Sequence, residues 1–143
     1  MKRRPRLVAL GVFSHQGRIL VYEGVDRVSG ERFHRPLGGG VEYGELAEAA
    51  FVREIREELG REVTNIKLLG VLENLFTYEG RSRHEVLFVY DARFIDESIY
   101  DQDAIAGVEA DGSRIDAMWR TMATDTTPLY PNGLGALVDA RST

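Results

Sequence analysis

Apolar and polar positions change their rhythm several times along the chain, and each change marks an element. From Arg6 to Ser14 and from Gly17 to Glu23, apolar residues crowd into short runs split by the polar turn His15-Gln16-Gly17. Two such runs around a brief glycine turn predict a β-hairpin. Val25 to Glu31, with Ser29-Gly30 inside it, predicts a loop. Glu31 to Leu37 predicts a short extended piece, because Pro36 drives Arg35 toward β or polyproline conformation. Gly38-Gly39-Gly40 then predicts a glycine-rich loop leading into a helix.

In that helix the period becomes 3.6: Phe51, Ile55 and Leu59 recur four apart, with Val52 beside them, and form one apolar stripe. Glu45 suits its positive end, and Gly60 can close it in the left-handed conformation. Asn65 to Tyr78 and His84 to Phe94 are rich in branched and aromatic residues and flank Glu79-Gly80-Arg81, which predicts two strands and a turn. Asp96 to Asp103 is acidic and unpatterned, a predicted loop. Ala104 to Glu109 and Ile115 to Arg120 around Asp111-Gly112 predict a second hairpin, and Pro131 to Ala140 a last helix.

The charged side of the first helix changes the picture. Glu54, Glu57 and Glu58 stand at i, i+3 and i+4, so their carboxylates share a face. Like charges at those spacings cost an isolated helix about 0.2–0.5 kcal/mol per pair, and a divalent cation would compensate them. A solvated face salt-bridged to Arg53, Arg56 and Arg61 is the ordinary alternative. It fails to explain Glu58, which at about 100° per residue comes about 20° from Phe51, on the shoulder of the core-facing stripe. A carboxylate there is partly desolvated, which is costly unless it is paired or bound to metal. Oxygen ligands around an open position suit Mg2+, or Mn2+ as a substitute.

Composition narrows the class. The 143 residues suit a single domain, 1–143, able to bury about two thirds of its extended surface. A hydrophobic fraction of 43% and a charged fraction of 29% are those of a soluble globular protein, and no run approaches the roughly 18 apolar residues of a membrane span. The leader MKRRPR before an apolar run superficially resembles a signal peptide, but the run is short and lacks a small-residue cleavage site, so a basic leader entering the first strand is expected. Zero cysteines exclude disulfides and thiolate chemistry and fit the cytoplasm. A net charge of −5 argues against a stable nucleic-acid partner.

The spacing Gly39, five residues, Glu45, seven residues, Arg53-Glu54-Ile55, one residue, Glu57-Glu58, one residue, Gly60 resembles the Nudix box of the Nudix hydrolase family. The resemblance runs from Gly39 to Arg61 and departs from the pattern at the last position, where an aliphatic residue is usual and Arg61 stands. It implies an α/β/α sandwich with a mixed β-sheet. It further implies a Mg2+-dependent pyrophosphohydrolase of phosphorus-containing acid anhydrides, acting on a nucleoside diphosphate linked to another moiety. Metal would be held by Glu54, Glu57, Glu58 and the Gly39 carbonyl, with Glu45 supporting Arg53.

The water's proton would go to Glu54, or to Glu85 at the start of a later strand, with Asp96, Glu97 and Glu109 as further acids. Arg35, four residues before Gly39, is the expected phosphate contact, beside Gly39 and Gly40; Arg81, Arg83 and His84 are individually closer to ordinary surface charges. Tyr22, Phe33 and Tyr130 could stack on a base, although rim packing explains any one of them. The expected partner is a small-molecule nucleotide, and exposed strands admit a homodimer. The rival reading is a non-catalytic nucleotide-binding module using the same cleft. An isopentenyl diphosphate isomerase on this fold resembles chemistry that uses a cysteine, which the chain lacks.

Overall fold

The computed structural model describes residues 3–141; Met1 and Lys2 of the basic leader lie outside them. Strands β1 (Arg6–Val12), β2 (Ser14–His15), β3 (Arg18–Val25), β4 (Arg32–Arg35) and β5 (Leu37–Gly40) precede helix α1 (Ala47–Leu59). Then come β6 (Val63–Tyr78), β7 (Arg81–Phe94), a 3-10 turn (Glu97–Asp101), β8 (Ala104–Val108), β9 (Arg114–Thr121) and α2 (Leu134–Arg141). One sheet has the order β5-β1-β7-β6 and is mixed, since β1 runs parallel to β7 and antiparallel to β5. The other runs β2-β3-β9-β8, with β4 also on β3.

Each helix closes one side of the sheets. Phe51, Ile55 and Leu59 of α1 pack with Ala9, Phe13, Leu20, Tyr90, Phe94 and Ala117 from both sheets, so the predicted stripe is the core contact. Leu134 and Val138 of α2 pack with Val12, Ile19, Val21 and Val89. The result is a mixed α/β layered fold. Among the described residues no helix is long and apolar enough to cross a membrane.

Four expectations need correction. The runs flanking His15-Gln16-Gly17 are not one hairpin: both edges of β1 are occupied by β5 and β7, so β3 belongs to the other sheet. Only the tip pairs, Ser14 with Ile19 and His15 with Arg18, and the Leu20 amide donates to the Phe13 carbonyl at 3.0 Å where the chain changes sheets. The three glycines form a strand, not a loop. Asp96–Asp103 contains the 3-10 turn, because the Asp96 carboxylate caps it by accepting from the Ser98 amide at 3.0 Å. The last helix starts at Leu134, beyond Pro131, because Asn132 is pinned to Asn74: its amide donates to Asn74 Oδ1 at 2.9 Å.

The predicted pair of strands around Glu79-Gly80 is present as β6 and β7, and the hairpin around Asp111-Gly112 as β8 and β9. Gly60 ends α1 in the left-handed region at φ 66°, its amide donating to the Arg56 carbonyl.

Candidate active site

The geometry starts from β5 at the edge of its sheet. Ala9 faces Gly39 and Leu10 faces Gly38, and the Val41 amide donates to the Leu7 carbonyl at 2.9 Å. Hydrogen-bonded and non-bonded pairs alternate in an antiparallel ladder, so Gly39 exchanges its bonds with Ala9 while Gly38 and Gly40 turn their main-chain groups to the open edge. Two partners from α1 meet that edge: Arg53 Nη2 donates to the Gly40 carbonyl at 3.0 Å, and the Glu58 carboxylate accepts from the Gly38 amide. The Gly39 carbonyl therefore points at β1, and the outward carbonyl beside the acids is Gly38's.

Glycine is required here for two reasons. Gly38 has φ 145°, and a β-carbon on it would collide with the Ala9 carbonyl. A β-carbon on Gly39 would lie 2.5 Å from the Glu54 carboxyl carbon, so the strand lets the acid rest directly on its backbone.

Of the three helix acids the structure brings two together. Glu58 is buried on the shoulder of the apolar stripe, as the helical period predicts. Its carboxyl is hydrogen-bonded to that of Glu54, while its Oε1 is buried with no partner. Burial first, then the charges of Glu54 and Glu109, push the Glu58 carboxyl up to about 9. Glu57 stays 59% exposed and is held by Arg53 Nη1 at 3.2 Å. Among the described residues no three acid, histidine or cysteine side chains stand together closely enough to hold a metal ion. The residues nevertheless fit a hard cation: all donors are oxygens, and the Glu58 carboxyl, which feels the charge of Glu54, keeps one oxygen buried without a partner.

Arg53 is the hub. Its Nε donates to Glu45 Oε2 at 2.8 Å and its Nη1 to Glu54 Oε1 at 2.9 Å, and these carboxylates raise its pKa further above the ordinary range. Glu45 reaches it from the bend ahead of Leu46, outside the regular helix, which resolves the spacing of eight residues that a straight helix would forbid.

Glu85 is buried on β7 and held by two guanidinium groups, Arg35 Nη2 at 3.0 Å and Arg6 Nη1 at 3.7 Å. Arg35 thus reaches from β4 of one sheet to β7 of the other. Tyr22, opposite Arg35 in the β3–β4 ladder, joins this corner to the acids: burial pushes its phenol up to about 12, Arg35 opposes the shift, and Glu109 and Glu58 add to it. Asp96 is engaged as the turn cap, and Glu97 is paired with Arg93 at 2.8 Å. Phe33 and Tyr130 pack edge to face at 5.6 Å, and Phe33 also meets Tyr78 at 6.0 Å.

The charge of Glu109, in the β8–β9 turn, is felt at Glu54 and Glu58. Burial, then Asp111 and Glu54, raise its pKa. The chain at β8 lies so close to the end of α1 that a β-carbon on Gly107 would be 2.7 Å from the Glu58 carbonyl oxygen. Arg6 is a neighbour the sequence did not single out. Its Nη2 lies 2.8 Å from where a Gly40 β-carbon would be, so the guanidinium rests on that glycine.

Residues 2–122 match the family profile described as NUDIX domain. The structure is similar to a MutT NUDIX hydrolase from Burkholderia pseudomallei, at 29% identity and a TM-score of 0.70 over 95% of this chain and 98% of that one. An ADP-ribose pyrophosphatase from Streptococcus suis shares the fold at 15% identity and a TM-score of 0.62, over 98% of this chain and 94% of the other. A shorter likeness, 34% identity over 65 residues, links 46% of this chain to the MutT4 protein of Mycobacterium tuberculosis, of whose length the match spans 26%. With a matching profile over most of its length and the glycine strand, helix acids and arginine hub in place, the chain belongs to the NUDIX domain family.

Proposed function

We propose that this chain is a Mg2+-dependent hydrolase that cleaves the pyrophosphate bond of a nucleoside diphosphate linked to another moiety, with Mn2+ able to substitute. The observation that carries this reading is the buried Glu58, whose Oε1 is without a partner although it lies beside Glu54 on a glycine edge. Glu54, Glu57 and Glu58 would hold the ion together with the outward carbonyl of Gly38, in place of the Gly39 carbonyl that the resemblance implied. Bound there, Mg2+ supplies charge neutralisation at the phosphates and a more acidic water.

The chain's own residues do the rest. Arg53 fixes Glu45, Glu54 and the Gly40 carbonyl in one cluster, so the acids are positioned before substrate arrives. Arg35 offers a guanidinium fork to a phosphate, and Glu85 holds Arg35 and Arg6 in place. Glu54 or Glu85 would accept the water's proton, with Glu109 as a further acid whose charge reaches Glu54.

The test is product identification after incubating the protein with nucleoside triphosphates, ADP-ribose, nucleotide sugars and dinucleoside polyphosphates, with and without Mg2+ or Mn2+. Metal-stimulated anhydride cleavage that disappears in Glu57→Gln is the expected result. Tight nucleotide binding without any cleavage would replace this reading with the non-catalytic module.

A further inference from the structure

Most sheet edges of this fold are covered or short. The β5 edge meets Arg53 and Glu58, the segment from Pro128 to Tyr130 exchanges hydrogen bonds with His34 of β4, β2 spans only Ser14–His15, and β8 lies against the end of α1. Strand β6, which ends the β5-β1-β7-β6 sheet, has neither protection. Its irregularities lie between Thr64 and Gly70, and from Val71 to Tyr78 it pairs residue for residue with β7. That stretch, VLENLFTY, holds no proline, lysine or bulge, the features that ordinarily guard an edge. Its one charged residue, Glu73, is engaged by His84, whose Nε2 lies 2.9 Å from Glu73 Oε2.

The hairpin turn fixes which backbone groups are free. Tyr78 and Arg81 flank a two-residue turn with positive φ at Glu79, 51°, and Gly80, 78°, the type I′ geometry. The flanking pair of such a turn exchanges both hydrogen bonds, and bonded and non-bonded pairs then alternate, so Leu72, Asn74, Phe76 and Tyr78 bond to β7. Val71, Glu73, Leu75 and Thr77 therefore turn their amides and carbonyls to the open edge, and among the described residues no backbone hydrogen bond outside the ladder reaches them. Their side chains share one exposed side, Leu75 at 74% and Val71 at 49%. The inward residues hold the strand in place: Leu72 packs with Val8, Leu10 and Leu87, and Asn74 accepts from the Asn132 amide.

We propose that this edge is a self-association surface, on which β6 of a second copy of this chain pairs antiparallel about a two-fold axis through Leu75. Residues directly opposite each other share a side of the sheet, so the axis passes through one residue and its copy. An axis at Glu73 sets Glu73 against itself, and one at Phe76 sets Glu73 against Glu79, like charges in both. An axis at Asn74 sets the Glu73 carboxylate against exposed Leu75. At Leu75 the leucines meet each other, and each Glu73 meets the hydroxyl of Thr77. The inference is independent of the proposed hydrolase reading.

The chain has no cysteine, so single substitutions report the axis. A bonded antiparallel pair sets its Cα atoms about 5.5 Å apart, within disulfide reach, so Leu75→Cys is expected to give a covalent dimer under mild oxidation. Val71→Cys, whose two copies lie about 26 Å apart in this register, is expected to give none. Sedimentation of the wild-type protein from about 1 µM to about 1 mM should show the apparent mass rising twofold, in the range where small interfaces associate. Leu75→Lys should stay monomeric with an unchanged urea midpoint, because the position is exposed in the single chain. A monomer at every concentration overturns the proposal and leaves the edge to an extended segment of another protein. A dimer that Leu75→Lys retains, or cross-linking at Val71 as readily as at Leu75, overturns it by placing the association elsewhere.

Discussion

Glu58 shows at the scale of one residue how a site opposes stability. Its unpartnered oxygen is a cost that the metal-free fold carries. Glu58→Gln keeps that oxygen but removes the burial of an ionisable acid beside Glu54 and Glu109, so it is expected to raise stability to urea in EDTA by about 1 kcal/mol or more, and to lower kcat at least about a hundredfold with Mg2+. Unchanged stability in EDTA would mean that water already satisfies the carboxyl. Arg61 is a second orphan: its Nε is buried without a partner at the position where the resemblance calls for an aliphatic residue. Arg61→Val should therefore stabilise the fold by about 1 kcal/mol, read from the urea midpoint at constant slope. The place of Glu58 was legible from the helical period, because 100° steps fix its angle to Phe51 whatever surrounds the helix. Arg6 was not. Its role depends on a β-ladder register that sets it over Gly40, and nothing in a basic leader encodes that register locally.

At the scale of elements, hairpins were legible where both strands pair with each other, as β6 with β7 and β8 with β9 do. The pairing of β1 was hidden because its partners lie far along the chain, and short-range turn signals are silent on such contacts. A tie between two hairpins was equally hidden. Asp26 ends the β3–β4 hairpin strand, and its Oδ2 accepts from the Glu79 amide in the β6–β7 turn at 2.9 Å while Oδ1 accepts from Val28 and Ser29. These bonds, that of Glu79 foremost, hold its carboxyl below the ordinary aspartate range. A depressed folded-state pKa stabilises above the unfolded-state value, and that contribution is lost as pH falls through the folded value. Asp26→Ala should accordingly lower Tm at neutral pH, with the difference from wild type closing in strong acid. A Tm gap that is constant across the acid range would assign the effect to packing instead.

The whole molecule joins two sheets through apolar cores that draw on both, adds the Arg35–Glu85 contact between them, and lays one helix against the seam. An ion gripped by that helix and by an edge strand of the sheet should therefore stabilise the entire domain, because it binds the folded chain alone. Millimolar Mg2+ is expected to raise Tm in wild type by a few degrees and to leave Glu58→Gln unmoved; an equal rise in both would place the ion elsewhere. The layered class and the acidic helix were visible in the chain as written. The seam was not, since it depends on side chains that meet only after both sheets have formed.

Because Gly38 and Gly40 present their main-chain groups outward from the rim of a sheet, the molecule carries its own reporter. The Gly38 amide proton is bonded to the Glu58 carboxylate, so its chemical shift and its deuterium-exchange rate change whenever that carboxylate finds another partner. A nitrogen-15 glycine label would make occupancy of the acids visible in solution without any substrate, through a resonance that belongs to the backbone rather than to the chemistry.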